Sequence, residues 1–553
     1  MIDDLWYKNA VIYSLDLETF MDSGDDGVGD FEGLMRRLDY LETLGVDAVW
    51  LAPFQPTPNR DNGYDVCDYY GVDPRHGSSG DFVEFMHQAG IRGIRVLIDL
   101  VVNHTSTDHR WFQHARADPD SRYRDWYVWS DTRPPDWNEG MVFPGVEEST
   151  WSWDEVAHAW YYHRFYHHQP DLDTDNPEVR AEIRRIMGYW LQLGVAGFRL
   201  DAVPFLIESK RPGHQGEQHF DYLYEMHRFL EWRRGDAVLL GEANVLPEEA
   251  RDYFGPAGEG MHLMFNFWVN QHLFYALATC DAGPLVQALE DTREVPEGAQ
   301  WAHFLRNHDE LDLGRLTEEQ REAVFARYGP DPDMQLYHRG LRRRLAPMLG
   351  DRRHLELAYS LLFALPGTPV IRYGDEIGMG EDLSLTERDS VRTPMQWSDE
   401  PCGGFTRAAE AVQPVISGGE YGYERVNVAA QQRDPSSLLR WTQRMIHLRQ
   451  ECPEVGWGTW RVLPTGQRGV LALRYTWRRT TVVTLHNLTP DPCEVRIHTD
   501  DCDGNERLLD LIDRDEIAAT DCEHHIVLEG HGFRWYRVGS LNYALYRGRE
   551  WES

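Results

Sequence analysis

Apolar and polar positions along this chain set up a repeating alternation of short extended runs and amphipathic helices. Residues 11–17, 47–53 and 94–103 are short apolar runs of the kind that form buried strands. Between them, residues 30–44 place Leu34, Leu38, Leu41 and Leu44 on one helical face. Residues 79–89 do the same with Phe82, Phe85 and Met86. Asp175 or Asn176 then caps a helix with Pro177 in its first turn, continued by Val179, Ile183, Ile186, Met187, Trp190 and Leu191. Extended runs recur at 197–203, 238–243, 263–267, 301–308 and 369–373. Eight strands alternating with helices predict a parallel (β/α)8 barrel with its helices outside.

The rhythm breaks in three places. Residues 104–170 are rich in Trp, Tyr, His, Pro and Asp, and too long for a loop. They read as a small domain inserted after the third strand. Residues 311–350 and 378–435 interrupt the barrel after the seventh and eighth strands, where they could form a lid. Residues 437–450 read as the helix that closes the barrel. Beyond residue 453, short alternating runs at 470–475, 481–485 and 525–528 predict a C-terminal antiparallel β-sandwich. The expected organisation is a barrel of residues 1–103 and 171–452, an inserted domain of 104–170 and a C-terminal domain of 453–553.

Composition narrows the partners. A net charge of −36 argues against nucleic acid and anionic membrane surfaces. The 20 Trp residues suit both a core and an aromatic cleft for a neutral sugar. Lysine occurs only at Lys8 and Lys210, and every other basic side chain that is not His is Arg. The 7 cysteines are dispersed, odd in number and show no CxxC, so reduced thiols are expected rather than disulfides or zinc. No stretch of 18 apolar residues occurs and the first residues lack a signal-peptide pattern, so a soluble, cytoplasmic protein is expected.

Four of the extended runs end in carboxylates: Asp99, Asp201, Glu242 and Asp309. In Gly197-Phe198-Arg199-Leu200-Asp201, alternation puts Arg199 and Asp201 on one side of a strand. Burying both charges is costly unless they are partnered or have a task. The pair reads either as a structural ion pair or as a catalytic carboxylate held ionised by its Arg. Active sites of such barrels lie at the C-terminal ends of the strands. Asp99, Asn103, His104, Arg199, Asp201, Glu242, His308 and Asp309 all fall at that rim. A metal-dependent hydrolase would also gather Asp and His there, but no HxH or bridging-ligand pattern is evident.

Asp99-Leu-Val-Val-Asn103-His104, Gly197-Phe-Arg-Leu-Asp201, Gly241-Glu242-Ala243-Asn244 and Arg306-Asn307-His308-Asp309 resemble, in order, the four signature regions of the alpha-amylase family, glycoside hydrolase family 13. Gln169-Pro-Asp171-Leu-Asp173 resembles its fifth. The resemblance implies a retaining reaction on an α-glucoside, with Asp201 as nucleophile, Glu242 as acid and base, and Asp309 gripping sugar hydroxyls. Retention requires the two working carboxyls to lie about 5–5.5 Å apart, close to the spacing of about 4.8 Å between adjacent strands. It also implies Arg199 aiming Asp201, His104 and His308 on hydroxyls, and Asp61, Tyr64, Phe165 and Arg392 around the bound ring. On residue type alone Tyr64 reads as a core aromatic. Segments at 5–13, 125–131, 163–165, 300–310, 342–347 and 374–379 are similar to the family's trehalose synthase branch, which isomerises maltose to trehalose. Arg392-Thr-Pro-Met-Gln-Trp397 is shared with oligosaccharide α-glucosidases. The chain departs from that branch at Phe205, Gly314, Arg372 and the Met261–Trp268 stretch.

Calcium is the one cofactor implied. Asp22-Ser-Gly24-Asp25-Asp26-Gly27-Val28-Gly29-Asp30 resembles the family's calcium loop through Asp22, Asp26, the Val28 carbonyl and Asp30, with an acidic surface turn as the alternative. A second calcium would lie near Asn103, Asp171 and Glu208 with the carbonyls of Phe205 and Leu206. The partner expected is a small neutral α-glucoside, and a homo-oligomer is left open. Three functions compete: a maltose–trehalose isomerase, an α-glucosidase or transglucosidase, and a non-catalytic carbohydrate-binding barrel.

Overall fold

The computed structural model describes residues 3–211, 214, 216–498, 507–513, 516–518 and 523–539. Eight parallel strands close into a ring: β1 Ile12–Leu15, β2 Ala48–Leu51, β3 Arg95–Leu100, β4 Gly197–Leu200, β5 Val238–Gly241, β6 Leu263–Phe265, β7 Gln300–Phe304 and β8 Thr368–Arg372. β8 returns to pair with β1, so no edge is left open. Ile12, Trp50, Leu97, Leu240, Phe265 and Phe304 fill the interior of the ring. The alternate residues, such as Val49, Ile98, Phe198 and Leu239, pack against the helices. Burial on both faces is why these strands read as continuous apolar runs. At Gly197 the backbone has φ of 147°, and a Cβ there would lie 2.1 Å from the Val238 carbonyl oxygen. Only glycine lets β4 start this close to β5.

The helices follow their sequence signals with one exception. Ser78 and Asp81 form a capping box on the helix Ser79–Ile91. Asn176 caps Pro177–Gln192, whose Val179, Ile183, Ile186, Met187, Trp190 and Leu191 are all buried. The single helix expected over residues 30–44 is two, Phe31–Arg36 and Leu38–Leu44. They break at Arg37, at φ −109° and ψ 3°, and its guanidinium lies 4.2 Å from the centre of the Trp397 ring. Leu34, Leu38, Leu41 and Leu44 are buried all the same.

Residues 104–170 hold the helix Arg110–Ala117 and a three-stranded antiparallel sheet, ordered Trp129–Ser130, Ala159–Tyr162, Trp151–Asp154. Residues 311–350 hold the helix Glu318–Tyr328 and a miniature sheet in which Gly340–Leu341 lies between Leu311–Asp312 and Gln335–Leu336. Residues 378–435 are mostly irregular, with the short helix Val428–Arg433. After the helix Leu438–Glu451, a six-stranded and a two-stranded antiparallel sheet share one core of Val483, Leu485, Val495, Ile497, Ile526 and Leu528. Among the described residues Cys67, Cys280, Cys402, Cys452 and Cys493 are free thiols. Cys502 and Cys522 lie outside the described residues. Among the described residues no helix is long and apolar enough to cross a membrane.

The inserted domain is fastened where the chain leaves β3 and returns, through bridges from His104 to Asp171 and from Tyr127 to Leu172. Lys210 is buried at this junction. Its ammonium donates to Asn103 Oδ1 at 2.7 Å, to the Leu172 carbonyl at 3.1 Å and to the Asn103 carbonyl at 3.3 Å, and it lies 3.1 Å from Asp171 Oδ2. A fixed positive charge therefore occupies the place of the second calcium implied by resemblance. Glu208 is instead paired with Arg164 at 2.8 Å, the Leu206 carbonyl accepts from Thr174, and Phe205 packs edge-on against Phe165. These residues do not fit a divalent ion as well as the ammonium. In the first loop, Asp22 accepts from the N–H groups of Gly24, Asp25 and Gly27 and from the Thr406 hydroxyl. Asp30 accepts from Ser23 and Gly33, and Asp26 from the Val28 N–H. The loop's own donors thus engage all three carboxylates. Among the described residues no group of three or more His, Cys, Asp or Glu is arranged to hold a metal.

Lys210→Met keeps the stem and deletes the charge, leaving Asp171 buried without its cation. Breaking a buried pair in this way costs about 3–5 kcal/mol, so thermal unfolding should shift down by several degrees. An unchanged transition would contradict the fastening role.

Candidate active site

Strand register builds the centre of the site. Asp99 on β3 lies directly beside Arg199 on β4, and Leu200 beside Gly241 on β5. Asp201 and Glu242 therefore leave adjacent strands at the same height. Arg199 is 1% exposed and forms ion pairs with three carboxylates. Its Nη1 reaches Asp99 Oδ1 at 2.5 Å and Asp201 Oδ1 at 2.6 Å, and its Nη2 lies 2.6 Å from Glu242 Oε2. Asp99 also accepts from Trp50 Nε1 at 3.1 Å and the Tyr64 hydroxyl at 3.2 Å. Ala202, left-handed at φ 49°, turns its N–H to Glu242 Oε2 at 3.3 Å. Among the two readings of the Arg199–Asp201 pair, this geometry gives it a structural anchor and a place at the cavity wall at once.

Asp309 meets two cations and an imidazole. Its Oδ1 meets Arg388 at 2.8 Å and Arg392 at 3.0 Å, and its Oδ2 meets His308 Nε2 at 3.0 Å. His308 lies face to face with Tyr64, ring centres 5.4 Å apart and planes 8° apart. Burial lowers the His308 pKa to about 4, so the ring is neutral, and its Nε2 lies between Asp309 and the Tyr64 hydroxyl, the latter at 2.8 Å. Burial also lowers His104 to about 4.

The carboxyls are pushed apart in acidity. Burial raises Glu242 to about 7 against the pull of Arg199, with Asp201 and Asp309 adding to the rise. Burial raises Asp201 to about 6, with Arg199 opposing and Asp99 and Asp309 adding. At Asp309 burial acts upward too, but Arg388, His308 and Arg392 outweigh it and hold the carboxyl well below the usual range. Asp309 therefore stays ionised, and of the coupled pair Asp201 and Glu242 it is Glu242 that keeps its proton to the higher pH.

All three carboxylates line one cavity of about 510 Å³, within the range of sites for small ligands. Asp61, Tyr64, His104, Phe165 and His308 line it as well. Arg199 and Arg392 do not reach it; they stand behind the carboxylates they orient. Asp61 accepts from Gln169 at 2.8 Å, and burial raises its pKa to about 7.

Three insertions roof the cavity. Phe143 of the inserted domain lies under the Arg388 guanidinium at 4.8 Å and against Tyr166 and Tyr337. Arg339 donates to the Val142 carbonyl at 3.0 Å and meets Glu310 at 3.4 Å, while Arg388 meets Glu310 at 3.0 Å. Tyr166 donates to Glu387 at 2.9 Å. Lower on the wall, Asn244 donates to Asp312 at 2.9 Å. Phe143, Asp312, Arg339 and Arg388 were not legible as site residues, because they sit in insertions without periodicity, and Glu310 was not singled out beside Asp309. The departures noted in the sequence fall in two places. Phe205 and Gly314 line the cavity, and a Cβ on Gly314 would lie 2.9 Å from Asp312 Oδ1. Arg372 is buried in an ion pair with Asp16, and Met261 is buried beside Gly241.

Comparison with known proteins agrees with this geometry. A family model described as alpha amylase, catalytic domain, matches residues 14–328 and 342–458. A second, sucrose hydrolase-like C-terminal domain, matches 480–537. A trehalose synthase of Pimelobacter sp. is 42% identical, covering 96% of this chain and 96% of its own. A trehalose synthase of Thermus thermophilus is 43% identical over 99% of this chain, which spans 57% of that protein's length. An oligo-1,6-glucosidase of Bacillus cereus is 29% identical over 88% of this chain and 92% of its own. Among solved structures, the alpha-amylase from H. orenii superposes with a TM-score of 0.78 at 27% identity, covering 96% of this chain and all of the other. The trehalulose synthase MutB from Pseudomonas mesoacidophila gives 0.77 at 26% identity over 97% of this chain and 99% of its own. The chain belongs to the alpha-amylase family.

Proposed function

We propose that this chain is a retaining α-glucosyl-transferring enzyme that interconverts maltose and trehalose, with some hydrolysis. One observation carries the chemistry: a single buried guanidinium holds Asp201 and Glu242 on one wall of a disaccharide-sized cavity. Asp201, the more acidic of the two, attacks the anomeric carbon and forms a covalent β-glucosyl ester. Glu242, protonated near neutrality, gives its proton to the leaving oxygen and later takes one from the incoming hydroxyl. Asp309, anionic between Arg388 and Arg392, grips the hydroxyls of the reacting ring as it distorts. His104 and His308, both neutral, add hydrogen bonds to the same ring.

Two observations support transfer within the cavity over release to water. Curated relatives at 42–43% identity are named trehalose synthases. The roof of Phe143, Arg339 and Arg388 ties three insertions together over the carboxylates. A freed glucose can be retained under it while it turns and attacks through its own anomeric hydroxyl. The α-glucosidase reading draws on the relatives named oligo-1,6-glucosidase and on Phe205 and Gly314, two departures from the trehalose synthase branch that line the cavity. Incubation with maltose separates the two. Trehalose in excess of free glucose supports isomerisation, and glucose alone refutes it.

Asp201→Asn should lower kcat on maltose by about 10⁴-fold or more with an unchanged unfolding temperature. Near-normal turnover would remove the nucleophile assignment. For the wild type, kcat/KM on maltose should fall below about pH 6 as Asp201 takes a proton, and above about pH 7 as Glu242 loses one. In Glu242→Gln, assayed with a glucosyl donor whose leaving group needs no proton, the high-pH decline should vanish. Its persistence would assign the acid elsewhere.

Phe143→Ala opens the roof without touching a carboxylate. The ratio of glucose to trehalose released from maltose should rise several-fold, with total cleavage within about threefold of wild type. An unchanged ratio would show that the roof does not control access of water.

A further inference from the structure

A second cavity, of about 450 Å³, lies at the end of the barrel opposite the catalytic carboxylates. It forms where the start of β7 (Gln300 and Trp301), the stretch before β1 (Lys8) and the first turn of the C-terminal region meet. Three indoles border it: Trp301, Trp457 and Trp460. Trp460 is backed by Arg293, whose guanidinium lies 3.8 Å from the ring centre and donates to the Trp460 carbonyl at 2.7 Å. Arg293 is itself held by Glu290. That indole is thus rigidly mounted, as a stacking platform needs to be. Trp301 is anchored by its N–H to the Thr292 carbonyl at 2.8 Å.

The charged side chains of the lining are Lys8, Arg293 and Glu297, and Glu290 beside Arg293 brings the local sum to balance. Lys8 is buried, and among the described residues the one hydrogen bond found for its ammonium goes to the Ala299 carbonyl at 2.9 Å. An ammonium carries three N–H groups, so donors remain for a ligand. Glu297 faces the same cavity and its charge acts on Lys8, which disfavours an anionic ligand as much as a cationic one. The Thr459 hydroxyl stands at the exposed margin. Flat apolar faces beside scattered donors and acceptors suit a pyranose, which offers C–H groups on its faces and hydroxyls around its edge. Phosphate and nucleotides match less well, because both cations of the lining already face carboxylates, Arg293 with Glu290 and Lys8 within the field of Glu297. The volume approaches that of the disaccharide-sized catalytic cavity, so a disaccharide fits here as well.

We propose that this cleft is a second, non-catalytic saccharide site that takes a neutral α-glucoside of the size of maltose. The ligand class rests on the proposed function of the catalytic cavity; the site itself rests on the cleft. It contacts the amino-terminal stretch, the barrel and the start of the C-terminal region together, so an occupied cleft braces their junction.

Titration calorimetry with a sulfur-linked maltose analogue, which the wild-type protein cannot cleave, should count two sites per chain. Thr459→Arg, at an exposed position on the strand Thr459–Val462, should fill the cleft and reduce the count to one. Trp460→Ala should weaken the second site at least tenfold. Both variants should keep kcat/KM on maltose within twofold of wild type. One site in the wild type, or two sites retained in Thr459→Arg, would overturn the proposal. A chain that fails to turn over maltose yet still loses one binding event in Thr459→Arg would reject the catalytic reading and leave the cleft standing.

Discussion

One buried cation shared among three carboxylates sets the terms for everything else in this molecule. Arg199 is almost sealed from solvent, and the charge it brings to the top of the barrel is a single unit. An unpaired guanidinium at such depth costs several kcal/mol, so it must have an anion close by, and β3 supplies Asp99 in register. Asp201 and Glu242 then share what Asp99 leaves. One positive charge cannot neutralise three negative ones in a medium that screens poorly. The arrangement therefore holds a proton near neutrality, and Glu242 is the carboxyl raised furthest. The acid needed for the reaction follows from that imbalance. Asp309, across the cavity, has the reverse balance, with Arg388 and Arg392 on one carboxylate, and stays anionic.

The barrel and its insertions divide the work. The strands give fixed heights and spacings, because hydrogen-bonded register leaves little freedom. The roof is built from side chains of separate segments that meet through Phe143, Arg339 and Arg388. Such contacts can loosen while the strands stay put, which suits a lid that must admit a disaccharide and then retain glucose. Lys210 holds the inserted domain from beneath, where a fixed ammonium does what a divalent ion would otherwise do. It is one of two lysines in a chain that uses Arg for its other strong bases, and both are buried. Arg would place a broad planar group where a compact point charge is wanted among four oxygens.

The sequence made some of this plain and hid the rest for identifiable reasons. The eight strands were legible because burial on both faces writes them as unbroken apolar runs, and the rim carboxylates because each ends such a run. The break at Arg37 was not, since the leucine spacing continues across it and only the Trp397 contact marks the bend. Arg388 and Arg339 carry no periodic signal, and their partners lie tens to hundreds of residues away. Arg199 stands behind Asp201, as its aiming role requires, whereas Arg392 was expected around the bound ring and instead stands behind Asp309. The place expected for a second calcium held an ammonium, which the isolated Lys210 in an Arg-rich chain could have flagged.

The central claim is that Asp201 bonds covalently to glucose while Glu242 works from the same guanidinium. Mass spectrometry of the protein, quenched after reaction with an α-glucosyl fluoride slowed by a second fluorine at C5, tests it most directly. The account predicts one added fluoroglucosyl group, mapped by proteolysis to the peptide carrying Asp201. An adduct on another carboxylate, or turnover of that donor with inversion and no adduct, would contradict it.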